Sequence, residues 1–581
     1  PFVNPQAFRY RVQSDAIQNF CDTTLVSALL EADPKRRQTL LLEAQRVYTD
    51  SLKIIPGWAD TIKPDFTGFH HRGIYGNAYT GGFIPQASFG VHVLRDTSYS
   101  VHPKSVENLR NLIRTYRLYC QKYAMPFGIR GRMPLATHQL KTEVFTGVLI
   151  YASSLGLNDA TMKPVYARLW DMEEVGLHFL FVGGRGKLFR GLYPLEMLEE
   201  LIGSAPQAEP DPTGFWYKPY GGLALHRRDN WMVAVKGYSK YVWDYENGEP
   251  DENVYGQYLS HGMLTIFAEG DTVNDIDSGY RLEHGWDWYR MPGTTAVHFP
   301  IRPQAPLEHR QFSSETFLGA VSCDGQNGTW GMILDQPMFG DGTRINLKAR
   351  KSAFFVDDLI VLLGTGITGG DDDHPVETTL FQTFLDDSSE LQISRTTHLS
   401  DSAGNGYYVP DTADLRNFQG SQRSYRHDGK TRSEGPYAVA WLDHGIKPQD
   451  ASYQVAILVR GGDKIEGLAE EPESYYRVVN QTNALHRVDF PTHQLSSFVF
   501  FEPGETDHPV LVSTNEPSLL MCRQLTDNRI RLGVANPDLG FLPSDAPPPT
   551  FRFISQDDNQ YLPSRSRPVQ IVLRGTWRPV A

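Results

Sequence analysis

Ser204–Gly222, SAPQAEPDPTGFWYKPYGG, is the stretch whose reading decides the fold. Proline and glycine crowd it, and neither sustains a helix interior or a central strand, so it marks a boundary. On its N-terminal side the apolar residues recur at helical spacing. Leu40, Ala44, Val47, Tyr48 and Leu52 form one stripe behind Asp33-Pro34, an N-cap followed by proline at the first helical position. Val106, Leu109, Ile113, Tyr116 and Cys120 form a second, and shorter segments around 145–155, 159–171 and 193–203 continue the pattern. Each stripe is expected to pack against neighbouring helices. Long Gly- and aromatic-rich loops are expected at 56–90 and 125–140, and such loops on a helical scaffold are where function gathers. On the C-terminal side the period changes to two. WMVAVKGYSKYVW (231–243), AFFVDDLIVLLGTGI (353–367) with a turn at Asp357-Asp358, and YQVAILVRGGDK (453–464) read as strands and hairpins. Helices followed by many antiparallel strands make a segregated α+β chain, and 581 residues are enough for two to four domains.

Composition excludes more than it selects. A formal charge of −13 argues against nucleic acid, whose phosphates need a basic surface. No run of about 18 apolar residues occurs, so no membrane partner is expected. The four cysteines, Cys21, Cys120, Cys323 and Cys522, lie far apart and read as isolated buried thiols. The 28 tyrosines and 10 tryptophans suit a carbohydrate cleft and a large β-core equally.

One region concentrates chemistry: Phe69-His70-His71-Arg72-Gly73-Ile74-Tyr75-Gly76-Asn77-Ala78-Tyr79. With Arg130 and Gly131-Arg132-Met133-Pro134 in the next long loop, it makes a set suited to proton transfer beside an anion. Adjacent histidines rarely converge on one ion, so no metal ligand is assigned. No phosphate-binding loop, nucleotide fingerprint or GxSxG elbow is present.

FHHRG (69–73), VLRDT (93–97), YGQYLSHG (255–262), GWDWYRMPGTT (285–295), VETTLFQ (376–382), GNGY (404–407) and WLDHGIKPQDASY (441–453) together resemble polysaccharide lyase family 8, and within it the chondroitin ABC lyases. The resemblance runs almost end to end. It implies an incomplete α/α toroid over 1–203, a linker at 204–222, an antiparallel β super-sandwich over 223–500 and a small β-domain over 501–581. It also implies a secreted or periplasmic bacterial enzyme that cleaves chondroitin and dermatan sulfates by β-elimination, with hyaluronan as a further candidate. The C5 proton of a uronate is weakly acidic while its carboxylate stays charged. Elimination therefore needs that carboxylate neutralised, a base for C5 and an acid for the departing oxygen.

By the same resemblance His71 takes the place of the catalytic histidine and Tyr79 that of the catalytic tyrosine, with Tyr75 as fallback. His71 is the natural base for iduronate and Tyr79 for glucuronate, whose C5 protons point to opposite faces. Arg132 would bind the carboxylate or the leaving oxygen and lower the pKa of Tyr79. Glu246 would hold Arg132 and Tyr79 in position, with Glu249 as its competitor in the acidic loop 244–253. His70, Arg72, Asn77, Arg130 and Trp243 are the candidates for binding substrate. No organic cofactor is implied, and a calcium or magnesium ion is compatible but has no assignable ligands. The resemblance places a neutralising asparagine and an N-terminal β-domain upstream, so a preceding fragment of the same enzyme is an expected partner. A glycoside hydrolase, which needs two facing carboxylates, and a non-catalytic glycan-binding protein are the rival readings.

Overall fold

The computed structural model describes residues 22–77, 79–121, 124–132, 160–169, 206–247, 252–301, 311–386, 397–411, 414–526 and 528–580, with Ser14, Ile17, Gly203 and Ser204. The expected helical segment 145–155, nearly all of 193–203, and the residues Cys21, Ala78, Met133, Pro134 and Glu249 lie outside these. The chain divides into two compact units. One holds Pro1–Gly131, Ala136–Asp211 and Arg552–Pro563; the other holds Arg132–Leu135, Pro212–Phe551 and Ser564–Ala581.

The first unit is helical: α1 (Asp22–Leu30), α2 (Pro34–Ser51), α3 (Tyr79–Leu94), α4 (Pro103–Tyr119) and α5 (Lys163–Leu169), with a two-stranded hairpin of β1 (Phe69–His70) and β2 (Gly73–Ile74). Asp33 caps α2 as read, its carboxylate accepting from Lys35 N at 2.8 Å and Arg36 N at 3.3 Å. The stripe on α4 is buried at Leu109, Ile113 and Tyr116. The loop expected over 56–90 is shorter than the sequence suggests, because α3 already begins at Tyr79. Gly81, Gly82 and Pro85 read as helix breakers, yet packing overrides them. A side chain at Gly90 would come within 2.2 Å of the Tyr48 ring, so this glycine is what lets α2 approach α3. The distant segment Arg552–Pro563 joins this unit through Gln560, whose carbonyl accepts from Trp58 N at 2.8 Å and Ala59 N at 2.9 Å.

The second unit is built on antiparallel sheets, with short helices at Ile465–Glu470 and Pro472–Tyr475. Its core is a sandwich. Phe354, Val361, Leu363 and Ala456 from a seven-stranded sheet pack with Val488, Phe490, Val499, Leu519 and Met521 from a five-stranded one. The Asp357-Asp358 turn forms as expected, joining Arg344–Val356 to Leu359–Thr368 with Val356 opposite Leu359. Two boundaries differ from the sequence reading. Gly214–Lys218, expected as linker, is the first strand of a four-stranded sheet and pairs with Leu223–Arg228. The expected break at 500/501 falls inside the five-stranded sheet, where Leu495–Phe500 pairs with Ser518–Thr526. Strand pairing is non-local, so a change of composition along the chain is not a change of sheet. The GWDWYRMPGTT run shapes the wall of this unit. Arg290 grips Glu377 with two bonds of 2.8 and 2.9 Å and lies 3.7 Å over the Trp441 ring. Among the described residues no helix is long and apolar enough to cross a membrane.

Candidate active site

The hairpin β1–β2 pairs Phe69 with Ile74 and His70 with Gly73, which leaves His71 and Arg72 as its two-residue turn. Both have positive φ, 50° and 70°, the pattern of a type I′ turn. Such turns favour Asn and Gly, and a histidine and an arginine are strained there. Asp60 offsets the strain. Its Oδ1 accepts from Arg72 N at 2.9 Å and its Oδ2 from the Arg72 guanidinium at 2.7 Å, and both side chains are largely buried. These bonds brace the backbone of the turn that carries His71.

Tyr79 is the first residue of α3. His70 lies flat on its ring, with centroids 3.5 Å apart and planes 13° apart. His71 stands 5.2 Å from Tyr79, tilted by 46°. Tyr75 meets Tyr79 edge-on at 4.9 Å and is itself buried. The structure thus brings His70, His71, Tyr75 and Tyr79 into one aromatic cluster. The floor beneath Tyr75 is set by the second loop. Gly76 N donates to Ile129 O at 2.6 Å, and the Tyr116 hydroxyl donates to Gly76 O. Gly131, at φ 62°, would put a Cβ 2.1 Å from the Tyr75 ring, so only glycine fits.

The other predicted residues divide by role. Arg130 is turned inward: it donates to Met125 O at 2.9 and 2.6 Å, and its guanidinium lies 4.2 Å over Phe127. Asn77 is buried, and its Oδ1 has no hydrogen-bond partner among the described residues. Nearby Lys63 is fully buried, and burial pulls its amine down to about 7 against the attraction of Asp60 and Asp65. Its Nζ donates to Ile55 O at 3.0 Å and Gly57 O at 3.3 Å.

Arg132 and Glu246 belong to the second unit. There Arg132 Nε lies 3.1 Å from Glu252 Oε2, and both side chains are mostly buried. Glu246 is buried on a loop fastened by Asn253, whose side chain donates to Glu246 O at 2.7 Å. Trp243, just before it, packs edge-on against Phe312 at 5.1 Å. Neighbouring Asp244 accepts from Tyr245 N and Gln311 N, yet burial dominates and pushes its carboxyl up to about 8. Sequence reasoning missed two of these groups. Glu252 stands in the acidic loop 244–253, but residue type alone does not say which acid meets Arg132. Asp60 lies 12 residues before its partner, with no periodic signal connecting the two. Among the described residues no cluster of three or more His, Cys, Asp or Glu side chains is set to hold a metal ion.

Two family models match the chain: polysaccharide lyase family 8, super-sandwich domain, over residues 215–463, and lyase, catalytic, over residues 10–174. The chondroitin sulfate ABC exolyase of Bacteroides thetaiotaomicron is 29% identical over 614 residues, covering 100% of this chain and 59% of that relative. The chondroitin sulfate ABC endolyase of Proteus vulgaris is 26% identical, covering 90% of this chain and 51% of its own length. The chain thus spans little more than half the length of these relatives. Among solved structures, the chondroitin AC lyase of Streptomyces coelicolor A3 in complex with chondroitin sulphate matches with a TM-score of 0.73 at 20% identity. That match covers 90% of this chain and 70% of that one, and it shares the fold.

Proposed function

The chain belongs to polysaccharide lyase family 8, and from that premise we propose that it cleaves sulfated glycosaminoglycans, chondroitin and dermatan sulfate above all, by β-elimination at the uronate. The observation that carries the reading is the strained turn itself. His71 is held by a braced I′ turn 5.2 Å from Tyr79, whose ring is fixed by stacking on His70. Strain of about 1–3 kcal/mol per residue persists only where the surroundings enforce it, and it gathers at reactive sites. Two bases on one cluster also match a substrate whose C5 protons point to opposite faces, His71 serving iduronate and Tyr79 glucuronate. Tyr79 then hands its proton to the departing 4-oxygen, leaving a 4,5-unsaturated uronate. Arg132, steadied by Glu252 from the same loop as Glu246, supplies charge-assisted donors to the uronate carboxylate or leaving oxygen. His70 and Arg72 hold the Tyr79 ring and the turn, while Arg130 and Asn77 are buried and act on the sugar only through the loops they hold. Asp60 is fully engaged by Arg72, which suits elimination better than a hydrolase's pair of facing carboxylates. The same reading places the protein outside the bacterial cytoplasm, as a secreted or periplasmic enzyme.

The test is the ultraviolet absorbance of unsaturated uronate released from chondroitin and dermatan sulfates. It is run on this chain and on the longest polypeptide its gene encodes. The expected result is release by at least the longer protein, reduced about a hundredfold or more in Tyr79→Phe. A protein that binds the polymers but releases no unsaturated product, or releases saturated ends, overturns the reading.

A further inference from the structure

We propose that the paired strands Leu415–Tyr425 and Arg432–Ile446 carry a second binding site for a sulfated saccharide segment, built from none of the residues of the His71–Tyr79 cluster. Their register sets Arg423 opposite Glu434 and Tyr425 opposite Arg432. Side chains on a strand alternate faces, so these four share one face of the hairpin. They line a groove of about 550 Å³, joined by Ser424 and Ser433. That volume suits one or two sugar rings.

Charge and rigidity both point to an anionic sugar. Residues 415–434 carry five cations, Arg416, Arg423, Arg426, Lys430 and Arg432, against two acids, Asp428 and Glu434, in a chain whose formal charge is −13. Arg432 has no ion pair among the described residues. Arg423 meets Glu434 at 3.4 Å, but its side chain is 85% exposed, and such a pair is weak enough for a sulfate or carboxylate to take over. Glu434 also accepts from Ser421 at 2.6 Å. The platform beneath is fixed. Trp288 donates its indole N–H to Tyr425 O at 2.7 Å, and Ser424 donates to Trp286 O at 2.6 Å. Trp288 in turn stacks on Tyr255 with planes 2° apart. Tyr425, its backbone held in place, thereby offers a ring for an apolar sugar face, flanked by guanidiniums that match sulfate geometry. Leu415–Tyr425 is the edge of its sheet, and charged residues on an edge also block aggregation. That role needs neither a groove nor a strand backbone anchored by Trp288 and Trp286.

The site rests on the reading of the substrate as a sulfated glycosaminoglycan, but not on any catalytic role. Calorimetric titration of the Tyr79→Phe protein with a chondroitin sulfate dodecasaccharide tests it. The double variant Arg423→Ala/Arg432→Ala should bind about tenfold more weakly, with rates on a tetrasaccharide unchanged when Tyr79 is intact. Glu434→Gln should bind more tightly, which mere loss of structure would not produce. Unchanged affinity in the double variant overturns the site. Equal displacement of the dodecasaccharide by inorganic sulfate, compared with chloride at matched ionic strength, reduces it to a general anion patch and also overturns it. Should no lyase product appear in any assay, the affinities still decide this site separately.

Discussion

The carboxylate of Asp60 holds the backbone amide and the guanidinium of Arg72 at once, at 2.9 and 2.7 Å. One residue thus braces both the backbone and the side chain of a turn that its own sequence disfavours. Asp60→Asn keeps the volume but gives up the charge and one of the two acceptors. The turn should loosen, with kcat lower by about tenfold or more and KM little changed. Steady-state kinetics on both sulfated polymers check it, with near-ultraviolet circular dichroism to show that the aromatic cluster remains. An unchanged kcat would mean that the turn holds itself.

Gly131→Ala addresses the floor of the cluster. The added methyl would meet the Tyr75 ring at 2.1 Å and must also adopt a left-handed φ of 62°. A loss of about 2–4 kcal/mol is expected, with activity falling alongside it as Tyr75 is displaced against Tyr79. The thermal midpoint of unfolding reads this directly.

Glu252→Gln separates the newly found partner of Arg132 from its charge. Both side chains are mostly buried, so the guanidinium loses a strong orienting contact. A drop of about tenfold in kcat/KM is expected, with stability changed by no more than about 1–3 kcal/mol. Activity equal to the parent would assign the orienting part to Glu246 alone.

Lys351 gives a prediction in pH. Its ammonium is fully buried, donating to His261 O, Gly293 O and Thr295 Oγ1, and burial pulls it down to about 7. Below pH 7 both folded and unfolded forms carry the proton, and the cost of the buried charge is present in full. Between about 7 and 10.4 the folded protein releases the proton while the unfolded chain keeps it, so stability climbs with pH. Lys63 and Lys236, also held near 7, act in the same direction. Asp244, raised to about 8, acts oppositely but only below that pH. From pH 8 to 10 the climb should be roughly 2–3 kcal/mol per buried lysine. Lys351→Met should flatten its share, while costing stability at pH 10 through the carbonyls left without a donor. Urea unfolding across that range measures both effects, and identical slopes in parent and variant would refute the assignment.

Much of this architecture can be read along the chain. The Asp33 cap, the α4 stripe and the Asp357-Asp358 hairpin are local, and local spacing revealed them. The helix at Tyr79 was hidden, because Gly81, Gly82 and Pro85 carry turn signals and only the approach of Tyr48 to Gly90 explains their use. The sheet that crosses residue 500 was hidden because strand pairing is not recorded in composition. At the site, residue types marked out the 69–79 stretch and the family resemblance proposed His71 and Tyr79 within it, while the groups that hold them still needed coordinates. Asp60 acts across a loop, Glu252 was one acid among several, and the groove beside Tyr425 exists only once two strands are in register.

Gln560 is bonded to Trp58 and Ala59, two neighbours of the residue that braces the His71 turn. A ribosome releases Asp60 long before it adds Gln560, so the first unit leaves the exit tunnel without one of its own pieces. The turn therefore acquires this part of its support only about 500 residues after its own sequence has been made. A nascent chain that stops short of Gln560 carries the turn with the proposed base, His71, but not yet this part of its framework.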